Sequence, residues 1–149
     1  MDNLNPDIVY SFQYNVDGEI LIGDPYSEYI LDPDNDKYIS NTTFPDLKEY
    51  PEGKTSEIVS TFTTNQLKYE WQDSNFTAPA KEDLIIYELW IDDFIASHDY
   101  QTMADTLNYF SQLGVNAIEL MPVNEFEGNI SWGYNPSYHY ALDKYYRNS

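Results

Sequence analysis

From Asp83 onward the hydrophobic pattern of this chain changes period, and that change constrains its fold more than any other feature. Leu84-Ile85-Ile86-Tyr87-Glu88-Leu89-Trp90 is apolar on both faces, the pattern of a parallel strand covered on both sides. Met103, Leu107, Phe110 and Leu113 then recur at spacings of three and four, which predicts a helix over 100–113 with one apolar stripe. Asp99 is placed to cap its amino end, and Gly114 falls where a left-handed C′ residue is expected. Val115-Asn116-Ala117-Ile118-Glu119-Leu120-Met121 reads as a second strand, stopped by Pro122. Strand, helix and strand make one βαβ unit, which is right-handed in nearly all proteins. Ligands of such units bind beyond the carboxyl ends of the strands. The segment there, 122–149, is long, aromatic and polar, so function is expected in that loop.

The first half reads as short strands and turns. Tyr10, Phe12, Tyr14 and Val16 alternate along Val9–Val16 and are expected on one face of a strand. Asp17-Gly18 follows, then Glu19-Ile20-Leu21-Ile22. An Asp-Gly pair between two such runs predicts a hairpin whose turn residues both take positive φ. Pro25, Pro33, Pro45 and Pro51 forbid a long regular element over 24–55. Residues 58–63 predict one more strand, and Thr77-Ala78-Pro79-Ala80 reads as a linker. This half resembles part of a β-sandwich, although three or so strands cannot build two sheets.

Composition removes several classes of function. The 149 residues suit about one domain, large enough to bury one modest core. With 26 acidic residues against 7 basic ones and a formal charge of −19, the chain is a poor match for nucleic acid or an anionic membrane surface. No apolar run approaches the roughly 20 residues of a membrane span. The absence of cysteine excludes a disulfide framework, a thiolate zinc site and a cysteine nucleophile. Met1-Asp2-Asn3-Leu4 lacks the basic and apolar regions of a signal peptide; localisation stays unassigned, with a secreted or periplasmic parent left open. The 15 Tyr, 7 Phe and 3 Trp argue against acidic disorder. They suit a surface that handles polar, ring-shaped ligands.

The loop after the second strand carries Glu125-Phe126-Glu127-Gly128-Asn129-Ile130-Ser131-Trp132-Gly133-Tyr134-Asn135-Pro136. An indole and a phenol beside Asn and Glu offer what a sugar needs, with rings for its C–H faces and amide or carboxylate partners for its hydroxyls. A loop that packs its aromatics on its own scaffold is the plainer alternative. Glu125, Glu127 and Asp143 could be taken as paired glycosidase carboxylates, but a chain this acidic supplies such pairs by chance. Asp32-Pro33-Asp34-Asn35-Asp36 begins like a calcium loop and then fails, with Lys37 where Gly is needed and Thr43 where the bidentate Glu is needed. It is read as a solvated turn, with a weak surface cation site as the lesser alternative. His98 and His139 are too far apart, without a nearby Ser or Cys motif, to suggest a triad, and His98 is expected at the surface. There is no Gly-rich phosphate loop.

Three ordered segments, Tyr87-Glu88-Leu89-Trp90-Ile91-Asp92-Asp93-Phe94, Leu113 to Val123, and Trp132-Gly133-Tyr134-Asn135-Pro136, together resemble the alpha-amylase family, glycoside hydrolase family 13. They are similar to its first barrel strand, its second barrel strand and the loop that follows. Ala141-Leu142-Asp143-Lys144-Tyr145-Tyr146 resembles the segment approaching the third strand. Tyr14–Gly18, Asp24–Ser27 and Leu31–Pro33 are similar to the β-sandwich preceding the barrel in a bacterial branch. The resemblance implies an α/β chain with a β-rich amino-terminal part. A partial β-sandwich, immunoglobulin-like or carbohydrate-binding-like, would occupy 1–78, and the start of a (β/α)8 (TIM) barrel 83–149. It further implies a parent that acts on α-glucans of the starch or glycogen type, by retaining cleavage or transfer. Tyr134 matches the tyrosine that stacks on the sugar ring, with Trp132 and Asn135 flanking it; Gly114 and Pro122 match shaping positions.

The family's nucleophile, acid/base and stabilising carboxylates belong to the fourth, fifth and seventh strands. Its third-strand Asp and His are also without counterpart here. No catalytic residue is therefore assigned and no cofactor or metal, calcium in a full-length parent being left open. Asp92 stands where the family commonly has Arg, and Arg147 replaces the Gly after the Tyr-Tyr pair. Met1 starts inside the sandwich and Ser149 ends the chain early, so a fragment, inactive alone, is expected. A barrel takes about 250 residues, so an isolated βαβ unit should fold poorly or self-associate through open strand edges. The expected partner is an α-glucan or maltooligosaccharide. Two other readings stay open, a non-catalytic glucan-binding module and an acidic interaction domain.

Overall fold

The computed structural model describes residues 3–73 and 75–146. Arg147, in the place of the expected Gly, and the termini at Met1 and Ser149 lie outside the described residues. Within them the protein is β-rich, with few and short helices.

The amino-terminal part holds five short strands, β1 (Tyr10–Phe12), β2 (Tyr14–Val16), β3 (Ile20–Ile22), β4 (Ile30–Leu31) and β5 (Val59–Phe62). β5 is the centre of an antiparallel sheet in the order β1-β5-β4. Ile30, Leu31, Ile39, Phe44 and Val59 form its buried apolar set. Ser60 is buried with them, its hydroxyl accepting from the Asp24 amide at 2.6 Å and the Ser27 hydroxyl at 2.6 Å.

The run Val9–Val16 is not one strand, as its alternation predicts. It divides at Gln13. That side chain donates to the carbonyls of Ser56 at 2.6 Å and Ile58 at 2.9 Å and accepts from the Thr55 hydroxyl. Tyr10 and Phe12 therefore pack on Phe62 in one sheet, while Tyr14 and Val16 lie exposed in the β2–β3 hairpin. The hairpin turn is as expected, with φ of 54° at Asp17 and 78° at Gly18. Its closing bond, Glu19 N–H to the Val16 carbonyl, is 3.0 Å. The ladder begins one residue later, at Val16↔Ile20.

The second part runs β6 (Ile86–Leu89), α1 (Ile91–Phe94), α2 (Tyr100–Asp105), α3 (Leu107–Gln112), β7 (Ala117–Leu120), β8 (Asn124–Phe126) and β9 (Pro136–Leu142). β6 and β7 pair in parallel, Ile86 opposite Ala117 and Leu89 opposite Leu120. Asp99 caps α2, its carboxylate accepting from the Thr102 amide at 2.7 Å and hydroxyl at 2.8 Å. Gly114 closes α3 at φ 81°, with Gly114 N–H on the Ser111 carbonyl and Val115 N–H on the Phe110 carbonyl, both at 3.0 Å. That pair of bonds is a Schellman motif.

Three expectations for this part need correction. The single helix breaks at Thr106, whose hydroxyl takes the Met103 carbonyl at 2.7 Å, a local bond that competes with the helical ladder. In consequence Met103 and Phe110 are buried while Leu107 and Leu113 are 48% and 56% exposed. Second, β6 is covered on one side, where Tyr87, Leu89 and Ile118 meet Met103 and Phe110; Ile86 is 55% exposed. One crossover covers one face of a two-stranded sheet. Third, the segment after β7 is not a plain loop, because β8 and β9 pair antiparallel with two register shifts. The aromatic stretch 127–135 is the connection between those strands.

Candidate functional site

Trp90 directly follows β6, and the β8–β9 connection folds back to meet it. Trp90, Ile130, Ser131, Trp132, Tyr134 and Asn135 line an open groove of about 520 Å³. Trp132 and Tyr134 are each 65% exposed, so their rings are available to a ligand rather than spent on the scaffold. Tyr134 donates from its hydroxyl to Glu88 at 3.3 Å. Partial desolvation, followed by the nearby carboxylates of Glu88 and Glu119, holds its phenol above the usual value. The three residues singled out in the sequence, Trp132, Tyr134 and Asn135, thus share one groove at the carboxyl end of β6.

The groove is pinned from below. Ser131 accepts from the Gly133 amide at 3.0 Å and donates to the Asn135 side-chain carbonyl at 2.5 Å. Tyr146 accepts from the Trp90 indole at 3.0 Å and donates to the Ser131 carbonyl at 3.3 Å. Tyr146 is itself buried with Ile91 and Phe126. Its hydroxyl thus bridges Trp90 and residue 131 while its ring packs in the core. Trp90, Ser131 and Tyr146 are the contributors that the sequence did not single out for this site; Tyr146 reaches Trp90 and the Ser131 carbonyl from 56 and 15 residues away.

Behind the groove lies a buried charged cluster. Lys144 is 2% exposed and pairs with Glu125 and, at 3.2 Å, with Asp36. Asp143, also buried, accepts from the Tyr145 amide at 2.8 Å. Among the described residues, Glu125 Oε2 and Asp143 Oδ2 have no hydrogen-bond partner. Burial pushes the Glu125 carboxyl up to about 7 against the pull of the Lys144 ammonium. Burial likewise raises Asp143 to about 6 and Asp36 above its usual value. Burial alone would lower Lys144, but the paired carboxylates more than offset it and keep the ammonium charged.

This cluster corrects two readings. Asp32 and Asp36 are not a solvated turn, for both are buried. The Asp32 carboxylate is taken up by Asp34 and Asn35, and that of Asp36 by the Asp32 amide and Lys144. Glu125 and Asp143 are likewise engaged in the cluster, not presented in the groove. Among the described residues no group of three or more His, Cys, Asp or Glu is disposed to hold a metal ion, and no helix is long and apolar enough to cross a membrane.

No family model matches the sequence. Malto-oligosyltrehalose trehalohydrolase of Saccharolobus solfataricus is 40% identical to the chain over 129 residues, 85% of this chain and 21% of that protein. This chain belongs to the alpha-amylase family. Malto-oligosyltrehalose trehalohydrolase of a Rhizobium species is 32% identical, covering 68% of this chain and 17% of its own length. Isoamylase 1 of Arabidopsis thaliana is 26% identical over 80% of the chain and 15% of its own length. A Salmonella typhimurium crystal structure described as an alpha amylase superposes with a TM-score of 0.65 at 21% identity, over 91% of this chain and 19% of that one. The chain therefore spans about a fifth, or less, of the length of these proteins.

Asp92, where the resemblance leads one to expect Arg, faces His98. His98, at φ 55°, places Nδ1 3.1 Å from the Asp92 carboxylate and 3.0 Å from its carbonyl, while its ring stacks on Tyr145 at 5.2 Å. His98 is thus half-buried and engaged, not a surface residue. Glu125 takes up its proton more readily folded (about 7) than in its ordinary state (4.5). Its contribution is present at low pH and lost as pH rises through about 7. Glu125→Gln removes that titration, so its stability relative to wild type should be higher at pH 8 than at pH 5.5. It should also flatten the fall between pH 5.5 and 8 in denaturant unfolding. An unchanged slope would contradict this account of the cluster.

Proposed function

We propose that the chain is the amino-terminal section of an α-glucan-acting glycoside hydrolase. On this reading residues 1–78 form a partial β-sandwich and residues 83–149 open a (β/α)8 barrel. Trp132, Tyr134 and Asn135 hold a glucose ring of the substrate in the cleft. The observation that carries it is the groove itself, with two exposed aromatic rings and an amide gathered beside Trp90 at the carboxyl end of β6. Ligands of barrel enzymes bind at that end of the strands. An indole and a phenol suit the C–H faces of a pyranose, and Asn135 suits its hydroxyls. The relatives' names, a malto-oligosyltrehalose trehalohydrolase and an isoamylase, support a glucan substrate.

Retaining hydrolysis needs a nucleophile and an acid/base carboxylate a short distance apart. In this proposal the present chain contributes ring binding only, and starch hydrolysis by it alone is not expected. Titration with maltoheptaose, followed by tryptophan fluorescence, tests the reading. Trp132→Ala should weaken binding by at least about tenfold, the equivalent of about 1.4 kcal/mol, with Trp90 and Trp71 left as reporters. Binding that is indifferent to Trp132 would sink it. Sedimentation of the same samples tests self-association through the open edges of β6 and β7, the part of the proposal supported by the exposure of Ile86.

A further inference from the structure

The β8–β9 connection that carries Trp132 and Tyr134 is held from behind by one turn of the amino-terminal part. Two contacts make the hold. Asn129, inside the connection, donates from its side chain to the Asn35 carbonyl at 2.9 Å. Asp36, the next residue, pairs at 3.2 Å with Lys144, which in turn pairs with Glu125 on β8. Neither Asn35 nor Asp36 lines the groove. The turn that presents them is rigid, since the Asp36 carboxylate accepts from the Asp32 amide at 2.9 Å and the Asp32 carboxylate binds Asn35.

We infer that Asn35 and Asp36 are positioning residues for the glucan groove, setting the posture of residues 127–135 through Asn129 and Lys144. The amino-terminal part is then a component of the substrate site without touching substrate. The physical reason lies in the lengths involved. β8 has three residues and its pairing with β9 shifts register twice, so the ladder is a weak clamp for the connection it carries. A buried ion pair and a hydrogen bond from outside the hairpin supply what the ladder lacks. Each fixes a different point, Asn129 the connection itself and Lys144 the base of the hairpin.

That the groove takes glucan rests on the function proposed above; the posture of residues 127–135 does not. Hydrogen exchange read by mass spectrometry on the whole chain separates the two. Asp36→Asn should speed exchange of amides 127–135 by about tenfold while leaving α3 unchanged, the signature of a local opening. It should also weaken maltoheptaose binding several-fold. Asn129→Ala, a milder change outside the buried cluster, should do the same in 127–135 to a smaller extent, and it decides the matter if Asp36→Asn does not fold. Asp34→Asn, in the same turn, should change neither. Exchange in 127–135 that stays at the wild-type rate in the folded variants would overturn the inference. Faster exchange with no glucan binding in any variant, wild type included, would uphold the positioning role and refute the glucan reading instead.

Discussion

Replacing Lys144 by Met is expected to cost about 3–5 kcal/mol of stability at pH 8, the cost of leaving buried charge without its partner. Met fills nearly the same volume, so the loss is electrostatic. It removes the ammonium that pairs with both Asp36 and Glu125, beside a third buried carboxylate on Asp143. The penalty should shrink at pH 5.5, because burial already biases Glu125 and Asp143 toward their protonated forms and a neutral carboxyl needs no cation. Denaturant unfolding of wild type and variant at both pH values reads this directly. A loss below about 1 kcal/mol at pH 8, the range of exposed pairs, would mean that the cluster is solvated and not buried.

The second large effect is expected at Gly133. It sits at φ 83°, where a Cβ would lie 2.2 Å from the Pro122 carbonyl oxygen and 2.9 Å from its carbon. A left-handed conformation alone costs an L residue roughly 1–2 kcal/mol. Backbone contact at that distance cannot be relieved without moving the connection away from Pro122. Gly133→Ala should therefore displace Trp132 and Tyr134 and abolish maltoheptaose binding while both rings remain in the sequence. Gly128→Ala is the matched control, with φ 88° and nothing within 4 Å of the added carbon. It should pay the conformational cost alone and keep binding. Equal behaviour of the two variants would show that contact with Pro122 does not set the groove.

Both substitutions act on contacts between residues that are not neighbours in the chain, a relation that no local motif encodes. Trp132, Tyr134 and Asn135 were legible because they sit in one short aromatic motif. Trp90 and Tyr146, which hold that motif in place, were not, since nothing local distinguishes a tyrosine that bridges an indole from one that lies on a strand. Lys144 was hidden in the same way. Each of the 7 basic residues has 26 acidic candidates for a partner, and burial selects Glu125 and Asp36 for Lys144.

The sequence by itself determined the local features. The Asp17-Gly18 turn, the Asp99 cap, the Gly114 stop and the strand periods of 84–90 and 115–121 follow from φ preferences and from hydrogen bonds within a few residues. So did the family, through three ordered motifs. Tertiary structure decided how Val9–Val16 divides, because the Gln13 side chain finds carbonyls that belong to Ser56 and Ile58. It decided that Pro136–Leu142 pairs with β8, and that Asp32 and Asp36 are buried, with Asn35 and Asp36 meeting Asn129 and Lys144. Backbone geometry carries the first set of signals over short distances. The second set depends on which distant donor, acceptor or charge is present when water is excluded, and only the folded chain brings those groups together.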